Sequence, residues 1–137
     1  MDAKDIAPGA LVETLSRHGL IERSVVYQSA AYLEKLKSIA PDLRRMPPLS
    51  NPAQLDAIAE RVRPYAFDTR WSILSKPLID RCHALGIKVF SDAIGANESV
   101  EKYQTAIRDG LDLIQTDHPV RVLRAIELLE PSASVRP

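Results

Sequence analysis

The chain has a single cysteine, Cys82, which excludes an internal disulfide and leaves no thiol pair at metal-binding spacing. It has no excess of either charge, since Lys+Arg and Asp+Glu each total 18. No net field is available to draw in nucleic acid or an anionic membrane surface by global charge, and nucleic acid is not expected as a partner. No apolar run approaches the ~20 residues that a membrane-spanning helix needs. The first residues show no basic region followed by an apolar stretch, so no secretory leader is expected. The compartment stays open, with the cytoplasm expected if Met1 is the natural start. There is also no glycine-rich phosphate loop, no nucleophile elbow and no His-Glu-x-x-His zinc signature.

What is present is a repeat. With 137 residues, 45% of them hydrophobic, the chain can bury one substantial core. A short apolar run, a polar end and a helical pattern recur about six times along it. The runs are Ser24–Tyr27, Arg45–Leu49 (weak, with Pro47 and Pro48 inside it), Tyr65–Phe67, Ile87–Phe90 and Leu111–Ile114, with Met1–Asp5 as the tail of another. They are short and bounded by turn residues, as buried parallel strands are. Between them lie helical stripes at Leu33/Leu36/Ile39, Leu55/Ile58/Ala59/Val62, Val100/Tyr103/Ile107 and Leu123/Ile126/Leu129.

Starts and stops agree with this reading. Ala7-Pro8, Asn51-Pro52 and Ser75 before Pro77 mark helix starts. Asn97-Glu98 offers a cap and an acid for the stretch at Val100/Tyr103/Ile107. Gly19, Gly86 and Gly110 mark helix ends. Residues 1–130 read as one α/β domain, and 131–137, Pro-Ser-Ala-Ser-Val-Arg-Pro, as a disordered tail. Strands alternating with helices imply a parallel sheet with right-handed crossovers. Two closures fit: part of a (β/α)8 barrel of about six units, or an open doubly wound sheet.

In both architectures ligands bind where the strands end. Those ends carry Asp2/Lys4, Gln28/Ser29, Ser50, Asp68/Thr69/Arg70, Asp92 and Thr116/Asp117. Asp2 and Lys4 are two apart, so on a strand they project to the same side. A carboxylate there can hold a hard cation and a lysine can meet an anion. Thr116 and Asp117 suit the cap of the last helix instead. His18 and His83 fall within helices, as surface or packing residues do. His118 stands beside a strand end, with no partner visible in the sequence.

Several segments, in order, resemble the glycerophosphodiester phosphodiesterase family. Gly110-Leu-Asp-Leu-Ile-Gln-Thr-Asp-His-Pro119 is similar to its closing "G-(V/L)-D-x-I-x-T-D-x-P". Ala84-Leu-Gly-Ile-Lys-Val89 is similar to the approach to its seventh strand. Val25-Val-Tyr-Gln-Ser29 with Leu33, Leu36 and Pro41 resembles "V-I-x-S-F…L-x-x-L…P", and Asp2-Ala3-Lys4 stands where the family has "E-I-K". The resemblance covers nearly the whole chain, as the last six strands of eight.

It implies a TIM barrel of lipid metabolism that hydrolyses a glycerophosphodiester to an alcohol and glycerol 3-phosphate, with Mg2+ or Ca2+ as cofactor. It makes Asp2 a metal ligand, Lys4 a catalytic residue touching the phosphate, and Gln28 and Asp92 substrate-binding residues. The family's "H-R", "E-x-D" and "H-D" segments, which supply its histidine pair and most of its metal ligands, have no counterpart here. Asp92 and Gly95 fall where the family's "W-T-x-N" has its tryptophan and asparagine, and Ala30 replaces its aromatic. The expectation is a partial barrel without its first two strands, inactive alone and able to self-associate through exposed sheet edges. The alternative is a non-enzymatic α/β binding or regulatory domain.

Overall fold

In the computed structural model of the protein, residues 1–129 are described; the tail 131–137 expected to be disordered lies outside them. Six helices follow the strand segments: α1 (Pro8–Arg17), α2 (Ala30–Ile39), α3 (Leu55–Val62), α4 (Lys76–Ala84), α5 (Val100–Asp109) and α6 (Pro119–Leu129). The strands are β1 (Val25–Tyr27), β2 (Arg44–Met46), β3 (Pro48–Leu49), β4 (Ala66–Thr69), β5 (Lys88–Asp92) and β6 (Leu113–Gln115).

β2 and β3 are one strand in two pieces. Pro47 and Pro48 have no N–H to give, so the ladder breaks between them. Tyr65 N–H donates to Arg45 O at 2.9 Å and Asp68 N–H to Pro47 O at 3.0 Å, which carries the sheet across the break. Before β1, the opening residues add another strand segment. Tyr27 N–H donates to Met1 O at 2.8 Å and Ala3 N–H to Tyr27 O at 3.2 Å, around a parallel bridge between Asp2 and Tyr27.

The sheet therefore runs Met1–Ala3, β1, β2/β3, β4, β5, β6, every neighbour parallel and in chain order. A doubly wound sheet reverses its strand order once and carries helices on both faces. Here the order never reverses, and the helices lie on one face. Leu49, Phe67 and Val89 meet Leu55, Leu78, Ile79 and Cys82 of α3 and α4, while Ala3 and Val26 meet Leu11, Leu15, Leu33 and Leu36 of α1 and α2. This is barrel winding, and the open doubly wound alternative is rejected. The sheet does not close on itself among the described residues, and its edges are Met1–Ala3 and β6.

Three sequence expectations change in detail. Ile39 is 51% exposed, so α2 buries Leu33 and Leu36 without the third member of its stripe. Ser99, not Asn97, caps α5, its hydroxyl accepting from Lys102 N–H at 3.3 Å. In α6 the inward residue is Ala125, with Val122 half-buried beside it, while Leu123 and Ile126 remain exposed. α6 is apolar over more of its circumference than one packed face can use.

Buried Arg45 joins two helix ends to the sheet. Its guanidinium donates to the carbonyls of Val62 at 3.0 Å, Pro41 at 2.9 Å, Leu43 at 2.8 Å, Arg63 at 3.2 Å and Ala40 at 3.4 Å. Ala40 and Arg63 are the C-caps of α2 and α3. The cation thus sits on carbonyls that the two helices leave unpaired, at the negative ends of both dipoles. Burial and the nearby Arg63 both push its pKa down.

Candidate functional site

The inner face of the sheet follows from strand alternation. Phe67 and Thr69 are buried on the helix side, so Asp68 between them points the other way, as does Tyr27 next to buried Val26. Asp2 pairs beside Tyr27 and shares its side of the sheet. The carboxyl end of this face carries Asp2, Lys4, Tyr27, Asp68 and Asp92.

Asp2 and Lys4 do share a side, with Lys4 Nζ 3.9 Å from Asp2 Oδ2, and they are 52% and 78% exposed. Gln28, expected to meet substrate, bonds the neighbouring backbone through its side chain. Its Nε2 donates to Ala3 O at 3.0 Å and Lys4 O at 3.1 Å, and its Oε1 accepts from Ser29 N–H at 2.6 Å. These bonds fix the segment that carries Lys4. Asp92 Oδ1 accepts from Ile94 N–H at 2.7 Å and shapes the turn after β5.

Asp68 is the group that the sequence did not single out from the other strand ends. Burial raises its pKa, the hydroxyl of nearby Tyr27 works in the opposite direction, and the charge of Asp92 raises it further. Tyr27 is itself raised by burial and then by Asp68 and Asp2. Period-2 alternation around Phe67 was the signal that could have marked Asp68 as inward-facing.

The segment Gly110–Pro119 proves to be mostly scaffold. Gly110 ends α5 at φ 100°, and a Cβ there would lie 3.3 Å from Ile79 Cγ2 and 3.4 Å from His83 Cε1. Asp112 accepts from Val89 N–H at 2.8 Å, Lys88 Nζ at 3.2 Å and His83 Nε2 at 2.9 Å, tying β5 to the start of β6. Burial alone would raise its pKa; those three bonds outweigh it and hold the pKa low.

At the other end of β6, Thr116 meets Tyr103 OH at 2.7 Å and donates to Glu98 Oε1 at 2.8 Å. Glu98 also accepts from Asp117 N–H at 2.7 Å, and its Oε2 lies 3.6 Å from His118 Nε2. His118 therefore has a neighbour that no local spacing revealed, because Glu98 arrives from the preceding loop. Thr116 serves the turn into α6, its hydroxyl accepting from His118 N–H at 2.8 Å, while Asp117 gives its backbone N–H to Glu98.

Mg2+ and Ca2+ take several oxygen ligands. Among the described residues no group of three or more His, Cys, Asp or Glu side chains is placed to hold a metal ion. Asp2 is an exposed carboxylate with a lysine beside it. The residues present do not by themselves fit the cation that the resemblance implies.

No protein-family model matches the chain, and no curated protein matches it. Solved structures do. A protein from Galdieria sulphuraria assigned as a glycerophosphodiester phosphodiesterase superposes with a TM-score of 0.79 at 17% identity, over 90% of this chain and 52% of that one. A glycerophosphoryl diester phosphodiesterase from Parabacteroides distasonis gives 0.76 at 17% identity, over 98% and 52%. A 2,3-dimethylmalate lyase of the PEP mutase/isocitrate lyase superfamily gives 0.61 at 15% identity, over 95% and 61%. The fold is that of the glycerophosphodiester phosphodiesterase barrels, and the chain spans about half the length of those solved structures. The lyase shows that this winding hosts unrelated chemistry, so the activity has to be argued from the site.

Proposed function

We propose that this chain carries the phosphate-contacting part of a phosphodiester hydrolase of the glycerophosphodiester phosphodiesterase type. The reaction takes a glycerophosphodiester and water to an alcohol and glycerol 3-phosphate, a step of lipid metabolism. The observation that carries this reading is the Asp2–Lys4 pair, on one side of the first strand at the carboxyl end of a barrel-wound sheet. Lys4 is the group that meets the phosphate, where a cation offsets charge on the phosphoryl oxygens. Gln28 acts as a positioning residue, since its amide holds the Ala3 and Lys4 carbonyls. Asp92 shapes the rim of the same face.

Hydrolysis also needs a group that moves protons, and commonly a metal with a full set of oxygen ligands. Asp2 and Lys4 do not supply these, so the 137-residue chain binds phosphate without turning diesters over. The test is titration with glycerol 3-phosphate, followed by amide chemical shifts, together with phosphorus NMR of glycerophosphocholine with and without Mg2+ or Ca2+. Shifts are expected around Lys4 and Gln28, lost in Lys4→Ala, with no hydrolysis. Binding that survives Lys4→Ala removes Lys4 from the role, and turnover by the wild-type chain overturns the claim of inactivity.

A further inference from the structure

The middle of the inner face holds a carboxylate set among apolar and aromatic side chains. Val26, Leu49, Phe67 and Val89 are buried on the helix side, so by alternation Tyr27, Pro48, Asp68 and Phe90 project inward. Asp68 lies in register with Pro48 on one neighbouring strand and with Phe90 on the other. Met46, two residues before Pro48, is in register with Tyr27. Phe90 starts about 4.8 Å from Asp68, the spacing of paired strands. Tyr27 reaches Asp68 from beyond the β2/β3 strand, because side chains of alternate strands share a layer inside a barrel. Its pKa is raised by Asp68 and also by Asp2, so it stands between the Asp2–Lys4 pair and Asp68.

Asp68 is half-buried and enters no salt bridge among the described residues. Burial and the charge of Asp92 both work against its ionised form, and only the Tyr27 hydroxyl supports it. The described residues therefore bring it no cation. A hard metal ion would need about six oxygen ligands, and this row offers only those of Asp68 and Tyr27. The nearest further carboxylate, Asp92, has turned its Oδ1 to Ile94 N–H. An organic ammonium needs less: one carboxylate for its charge and aromatic rings for its bulk. Asp68 with Tyr27 and Phe90 supplies that set.

We propose that Asp68, flanked by Tyr27 and Phe90, is a subsite for an organic ammonium group. Combined with Lys4 as the phosphate contact, a reading on which this step rests, it makes the preferred ligand a zwitterionic phosphodiester. Lys4 takes the phosphate, and Asp68 takes a cationic alcohol on the other side of Tyr27. A diester of an uncharged alcohol leaves Asp68 without its partner and binds more weakly.

Choline chloride is the first probe, because it has no phosphate and does not call on Lys4. It is expected to shift the amide signals of Tyr27, Asp68 and Phe90, in Lys4→Ala as in the wild-type chain, and to shift none of them in Asp68→Asn. Sodium chloride at the same concentration is expected to move none. The second measurement compares glycerophosphocholine with glycerophosphoglycerol by titration. The wild-type chain is expected to bind the choline diester about tenfold more tightly, and the ratio is expected to fall to about one in Asp68→Asn. Phe90→Leu, which keeps the charge and removes the ring, is expected to lower the ratio about threefold. Circular dichroism checks that each variant is folded. Choline shifts that persist in Asp68→Asn, or equal affinity of the wild-type chain for the two diesters, overturn the proposal. Choline shifts that depend on Asp68, alongside diester binding indifferent to Lys4→Ala, uphold the ammonium subsite and refute the role given to Lys4.

Discussion

Replacing Arg45 with Met keeps most of the volume of the side chain and removes its guanidinium. Five carbonyl oxygens lose a charged donor, and three of them belong to the buried residues Ala40, Leu43 and Val62. A hydrogen bond to a charged group contributes about 1.5–3 kcal/mol net, and an acceptor left buried and unpaired costs a similar amount. The five contacts share one group and do not add. Water can reach Pro41 and Arg63, which leaves two or three effective losses, about 3–5 kcal/mol in all.

For a domain of this size that is a fall in Tm of about 10–20 °C. Arg45→Lys keeps the charge but not the planar fork, and is expected to recover about half of the loss. Urea unfolding followed by circular dichroism at one fixed protein concentration measures this directly, through the midpoint at constant slope. If Arg45→Met loses less than about 1 kcal/mol, the guanidinium is not what joins the ends of α2 and α3 to the sheet.

Other substitutions report on separate parts of the structure. Asp112 has a lowered pKa in the fold, so its stabilisation is present above the ordinary carboxylate range and lost as pH falls through the folded value. Asp112→Asn should therefore cost about 1–2 kcal/mol at pH 7 and progressively less below about pH 4, read from thermal melts across that range. Asp68 has the opposite sign: its pKa is raised, so the folded state is penalised as pH rises and the carboxyl ionises. Asp68→Asn should stabilise by about 0.5–1 kcal/mol at pH 7, with the gain vanishing in acid; a loss at pH 7 would contradict the assigned burial. Gly110→Ala combines a left-handed backbone with a 3.3 Å approach to Ile79 and should cost more than about 1 kcal/mol by urea midpoint. Lys4→Ala, at an exposed position, should leave the midpoint unchanged while removing glycerol 3-phosphate shifts.

The sequence by itself determined the local alternation. Apolar runs with polar ends and proline or glycine boundaries need no distant contact to be read, and six strand segments each followed by a helix are found where they were expected. It also placed Asp2 and Lys4 on one side, because strand alternation has a fixed period. The tertiary structure decided the winding, since both barrel and doubly wound sheets are built from the same units and differ only in which strands become neighbours. It also decided which polar groups matter. Gln28 and Asp92 turn to nearby backbone, Asp68 is pushed up by burial, and Arg45 finds carbonyls from two separate segments. Glu98 reaches His118 across a loop. Burial and pairing across many residues of sequence have no local signature, because they depend on where distant segments of the chain come together. The same cause explains α6, whose apolar stripe predicted a helix correctly but could not say which part of it would be covered.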